Sequence, residues 1–94
     1  MLITRVVGHI VSADQDEGLQ GLKLSIVREV TESNEPTGDP FVAVDTVGAG
    51  PGDTVLTALG SAARQTEQTR NSPVDAAIIA IVDAFEIRAD ESPV

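Results

Sequence analysis

The sequence predicts a small all-β protein, five short strands closed or nearly closed into a barrel with one short helix, on three observations. Apolar residues make up 41% of the 94, and almost all of them are Val, Ile, Leu or Ala, with two Phe and neither Trp nor Tyr. A core of branched aliphatic side chains suits pleated sheet. Short apolar or alternating runs are separated by Gly, Pro, Asn and Ser clusters, the spacing of a compact barrel. Finally, Gly48, Gly50, Pro51 and Gly52 fall within five positions directly after the run Phe41 to Asp45. No strand or helix interior tolerates that density, so residues 46 to 53 are a loop whose backbone approaches something closely.

In chain order, residues 2 to 12 read LITRVVGHIVS, with Ile3, Val7 and Val11 in one alternate set and Leu2, Val6 and Ile10 in the other. Apolar residues on both faces predict a strand covered on both sides. Gly8 marks a bulge or sharp bend in it. His9, the sole histidine, has no carboxylate or second imidazole near it in sequence and reads as structural or surface. Residues 12 to 21 form a polar loop whose Asp14, Asp16 and Glu17 lack the register of a calcium loop. Leu22, Leu24 and Ile26 then alternate with more polar positions, a half-buried strand running to about Val30.

Thr31 to Pro40, TESNEPTGDP, is a surface hairpin loop. Phe41 to Asp45 is the third strand and Asp53 to Leu59 the fourth. Gly60-Ser61 ends the fourth, with Ser61 as the expected N-cap of a short helix over residues 62 to 66. Residues 68 to 73 return to loop. Val74 to Ile87, VDAAIIAIVDAFEI, has a length that would also suit a buried helix; its β-branched Ile78, Ile79, Ile81 and Val82 favour a strand. Asp83 and Glu86 would then project to opposite faces. Domain organisation is one barrel over 1 to 87 and an acidic tail over 88 to 94.

Six basic against fifteen acidic residues give a formal charge of −9. That sign disfavours nucleic acid and anionic membrane surfaces as partners. A nucleic-acid-binding barrel would also need aromatics to stack bases. No window reaches the roughly 18 apolar residues of a membrane span, and the N-terminus has no secretion-signal pattern, so a cytosolic location is expected. Without cysteine there is neither a disulfide framework nor a thiolate metal site. A chain this short buries a limited core, and oligomerisation is the expected reinforcement.

Chemistry-bearing constellations are few. Asp45 and Asp53 flank the glycine loop and could be paired carboxylates for acid-base work or for a divalent ion. Carboxylates beside glycine turns more commonly cap backbone amides. The loop V-G-A-G-P-G-D has no following lysine for a Walker phosphate cradle and leads into a strand rather than the helix of a dinucleotide fingerprint. The expectation is no catalytic residue, no cofactor and no metal.

Taken together, MLITRVVGHIVS, GLQGLKLSIVREV, FVAVDTVGAGPGDTVLTALGSAAR and NSPVDAAIIAIVDAFEI resemble the bacterial microcompartment vertex family, the EutN/CcmL family, over nearly all of residues 1 to 87. The most specific pieces are VAVDTVGAGPGDTVL with the following GSAAR, and PVDAAIIAIVD. The resemblance implies an OB-like five-stranded barrel that forms a homopentamer and caps the vertices of a polyhedral shell alongside hexameric shell proteins. Carried over to this chain, it implies that Gly48, Ala49 and Gly50 line or approach the five-fold axis. Ser61 and Arg64 become subunit-interface residues, with Asp45, Asp53 or Asp75 as partners for the arginine. The departures are the loop Thr31 to Pro40, Pro51 and the tail after Ile87. The competing expectation is a barrel that binds a ligand or a protein through the Gly48 to Gly52 loop.

Overall fold

In the computed structural model, which describes residues 1–11, 23–65 and 75–83, five strands close into a barrel in the order β1-β2-β3-β5-β4. They are β1 (Leu2–His9), β2 (Lys23–Glu29), β3 (Phe41–Asp45), β4 (Thr54–Leu59) and β5 (Ala76–Ile81). Every neighbouring pair is antiparallel except β3 and β5, which run parallel through Val44↔Ala77 and Asp45↔Ile78. That pairing is short, and Thr46 reinforces it: both its amide and its Oγ1 donate to the Ile78 carbonyl, at 3.4 and 2.7 Å.

Within the last segment, Ala76–Ile81 is a strand paired between β3 and β4; Val82 lies just beyond it, and Val74 and residues 84–87 lie outside the described residues. Asp83 is exposed, while Glu86 and the tail over 88 to 94 lie outside the described residues, as do the loops over 12 to 21 and 68 to 73. The expected bulge at Gly8 is present as a register shift against β2 between Val6 and Gly8. Val7 is the extra residue.

Strand alternation fills the barrel. Val6, Val27, Ala43, Val55, Ala76 and Ile78 form one buried cluster, with Phe41 packed against it. Among the described residues Ile78 is the largest fully buried side chain. Two threonines share this interior, Thr4 on β1 and Thr57 on β4, and their hydroxyls hydrogen-bond to each other at 2.9 Å, so neither is left unsatisfied. On the outer face, the register partners Ala58 and Ala77 are also buried, together with Ala63 of a 3₁₀ helix over Gly60–Arg64 that packs on β4 and β5.

That helix differs from expectation. It begins at Gly60, whose φ of 61° turns the chain directly out of β4, and its N-cap position is Leu59, with no side-chain cap. Ser61 therefore lies inside the first turn, exposed, and caps nothing; the Gly60 amide instead donates to the Asp75 carbonyl at 2.8 Å. A second difference concerns β1. Only its Thr4 and Val6 are buried, whereas Val7 remains 49% exposed and Val11 is exposed beyond the strand. Within one chain the outer set is not covered.

Core positions here differ in what they contribute. Ile78→Ala removes three buried carbons at the centre of the barrel and is expected to cost about 3 kcal/mol in urea unfolding. Ser25→Ala removes a buried hydroxyl that has no hydrogen-bond partner among the described residues, so its unfolding free energy should equal or exceed that of the parent.

Candidate functional site: the glycine loop

The chain leaves β3 at Asp45 and enters β4 at Thr54, and the residues between are held at both ends by carboxylates. Asp45 Oδ1 accepts hydrogen bonds from the amides of Val47 and Gly48, both at 2.9 Å. Asp53 Oδ2 accepts from the Gly50 amide at 2.8 Å. The amide of Asp53 donates back to the Gly50 carbonyl at 3.0 Å, closing a four-residue turn with Pro51 and Gly52 at its centre. Proline fixes the first central φ and glycine supplies the φ of 92° at the second, the combination a type II turn favours. Beyond the turn, Gly52 N–H donates to Val6 O at 2.8 Å and Val6 N–H donates to Asp53 O at 2.9 Å. The loop thus extends the β1–β4 ladder past the end of β4.

The third anchor comes from β2. Lys23 faces Asp45 across the β2–β3 register, donates from Nζ to the Ala49 carbonyl at 2.7 Å, and lies 3.3 Å from Asp45 Oδ2. The second contact is an ion pair without the alignment of a hydrogen bond, since Oδ2 has no hydrogen-bond donor of its own. The Asp45 side chain is wholly inaccessible, while that of Lys23 is 49% exposed. Burying a carboxylate is costly unless it is paired and hydrogen-bonded, and Asp45 has two amides and one ammonium to offset that cost.

The sequence-predicted residues are distributed unevenly over this geometry. Gly48 is exposed and Gly50 half-buried, but the Ala49 methyl is buried in the barrel's own core cluster, so the middle of the trio faces inward. Asp45 and Asp53 are amide caps, as carboxylates flanking glycine turns commonly are. The Asp45 carboxylate is inaccessible in the isolated subunit and engaged by Lys23 and two loop amides. Asp53 is likewise engaged by Gly50. Ser61 and Asp75 are exposed and Arg64 is half-buried at the last turn of the 3₁₀ helix. His9 is exposed.

Sequence reasoning missed Lys23. Nothing in the spacing of Lys23 and Asp45 marks them as a pair, and only the strand register reveals it. The amides of Thr46, Val47, Gly48, Gly50, Gly52 and Asp53 all have acceptors inside the chain. A phosphate cradle needs such amides convergent and unpaired, so this loop is built as a braced connection.

Comparison with known proteins accords with that architecture. The family model described as "Ethanolamine utilisation protein EutN/carboxysome" matches residues 1–83. The chain belongs to the EutN/CcmL family. It is 44% identical over 86 residues to the bacterial microcompartment shell vertex protein GrpN of Rhodospirillum rubrum, covering 92% of this chain and 97% of that one. To the bacterial microcompartment shell vertex protein EutN of Escherichia coli K12 it is 41% identical over 83 residues, covering 88% and 87%. Among solved structures, CcmL of Nostoc sp. PCC 7120 superposes with a TM-score of 0.87 at 41% identity, covering 93% and 92% of the two chains. The pentameric microcompartment shell protein GrpN from Rhodospirillum rubrum gives 0.85 at 43% identity over 94% and 100%.

For this member of the family the three loop glycines are not equivalent. Gly48 and Gly52 have φ of 80° and 92°, a region that costs an L-residue about 1 kcal/mol or more. Gly50 is not in that region, and a Cβ there would meet only Asp53 Oδ2 at 3.9 Å, an ordinary contact. Gly48→Ala and Gly52→Ala are each expected to lower the unfolding free energy of the chain by about 1 kcal/mol, with Gly50→Ala changing it by less than half of that. Asp45→Ala, which strips two amides of their acceptor and Lys23 of its counter-charge, should cost about 2–3 kcal/mol in the same urea titration. Asp53→Ala, one amide bond, should cost about 1 kcal/mol.

Proposed function

We propose that this chain is a structural shell protein that assembles as a homopentamer and closes the vertices of a bacterial microcompartment. The observation that carries the reading is likeness along the whole barrel, at 43% identity, to a pentameric microcompartment shell protein. Elementary geometry supplies the role. A flat sheet of hexagonal tiles cannot close on itself, and a five-membered ring at each vertex introduces the missing curvature. Hexameric shell proteins are accordingly the neighbours expected around each ring. The role is mechanical, and no catalytic step is assigned to the chain.

Within the ring, Gly48, Ala49 and Gly50 are the candidates for backbone lining or approaching the five-fold axis. The Gly50 reading is supported by the subunit itself, in which neither its backbone conformation nor its surroundings call for glycine. Ala49 belongs to the same loop but serves as its inward pin. Ser61, Arg64 and Asp75 remain the proposed interface residues. All three sit at the end of the barrel where the 3₁₀ helix meets the start of β5, away from the glycine loop.

Sedimentation equilibrium at micromolar concentration should return five times the chain mass, and a concentration-independent monomer would refute the ring. Gly50→Arg should leave the thermal unfolding of the barrel within about 1 kcal/mol of the parent and either block ring formation or narrow the axial opening. A variant pentamer with an unchanged opening would remove the loop from the axis. Shells expressed without the chain should appear unclosed or elongated by electron microscopy.

A further inference from the structure

Arg5 on β1 and Arg28 on β2 are register partners on the outer wall of the barrel. Like charges placed opposite each other across two strands repel, and a sheet keeps such a pair only where something compensates it. Part of the compensation is local. Arg5 Nη2 donates to Asn34 O at 2.9 Å and to Asn34 Oδ1 at 2.6 Å, and Arg28 Nε donates to Gly38 O at 2.8 Å. Both guanidinium groups are thereby oriented against the loop between β2 and β3. That loop also carries Glu32, Glu35 and Asp39, all exposed, yet neither arginine meets a carboxylate among the described residues. In a chain with nine more acidic than basic residues, two arginines have been positioned through neutral carbonyls, with no counter-charge against them among the described residues.

The surface beside them is apolar. Val7, the bulged residue of β1, is 49% exposed and Val42 of β3 is 44% exposed, with Ile26 of β2 between them in the register. Arg28 follows Ile26 by two positions on the same face of β2. An uncovered aliphatic strip bordered by arginines has the composition of a subunit contact, an apolar centre with arginine at its margin.

We propose that the outer wall of β1, β2 and β3 is a contact face for a second copy of this chain, and that Arg5 and Arg28 together receive a carboxylate from that copy. The inference rests on the ring proposed above. A head-to-tail ring sets unlike patches against each other, so the neighbour presents a different part of a strongly acidic surface to this wall. Copies that each carry −9 repel at long range, and direct guanidinium–carboxylate pairing at the contact offsets that repulsion. The planar guanidinium fork suits a carboxylate bidentately, which a lysine ammonium would not.

Two measurements on the full chain test this. In sedimentation equilibrium, the double variant Arg5→Glu, Arg28→Glu should dissociate at a concentration at least about tenfold above that of the wild type at low salt, with its far-UV circular dichroism retained. For the second, Arg28→Lys protein is prepared unlabelled and ¹⁵N-labelled, the two are mixed and reassembled, and the mixture is treated with a zero-length carbodiimide. Peptides joined through position 28 to a carboxylate should then appear with one labelled and one unlabelled arm. This arm of the test keeps the positive charge and so does not depend on the reversed variant folding. Wild-type assembly behaviour in the double variant, or cross-links at position 28 confined to single-isotope pairs, overturns the contact while leaving the ring intact. A wild type that never assembles overturns the ring itself, and the contact with it.

Discussion

The Asp45 carboxylate is the interaction on which the rest of the architecture depends. Barrel closure requires β3 to lie beside β5 in a short parallel pairing while the chain leaves β3 and travels to β4, two strands away in the closed order. At that point the backbone must turn without the help of a ladder. Asp45, itself a register partner of Ile78, offers its Oδ1 as the shared acceptor for two departing amides and draws Lys23 across to hold the loop carbonyl of Ala49. One buried charge thereby couples β2, β3 and the loop, and its burial is sustainable only because all three groups are in place. Ala49 then turns its methyl into the core, so packing and polar anchoring point to the same loop conformation.

Much of this was legible in the sequence because it rests on local rules. Phe41 to Asp45, the bulge at Gly8, the strand character of the Ile-rich last segment and the capping role of Asp45 and Asp53 follow from β-branching, alternation and turn chemistry. What could not be read depends on register. The Lys23–Asp45 pair, the Thr4–Thr57 hydroxyl contact and the facing arginines all join residues from different strands, and a one-residue slip would separate each of them. Ser61 was misplaced for a related reason: its capping pattern is real as a sequence signal, but the helix starts two residues earlier, at Gly60, where a distant carbonyl at Asp75 satisfies the entry amide.

The sequence also implied a first strand covered on both faces, and the isolated barrel covers only one. This mismatch is informative. A chain of this size has too little interior to bury all of its aliphatic residues, and the surplus lies on the outer wall at Val7 and Val42. On the contact proposed above, the vertex role and the uncovered wall become two views of one constraint, with quaternary packing supplementing the tertiary packing.

The turn at Pro51 and Gly52 carries a mechanical consequence. Because Gly52 and Asp53 are hydrogen-bonded to Val6 as a continuation of the β1–β4 ladder, the loop cannot swing without breaking sheet hydrogen bonds. Loops that open and close in proteins are drawn from weakly tethered segments. This one is strapped to the wall at Val6, Lys23 and Ile78, and in the proposed ring five such loops around the axis would form a rigid collar of fixed bore. Passage through it would then be decided by the size and charge of the traveller, and tuned over evolution by substitutions on the rim instead of by motion.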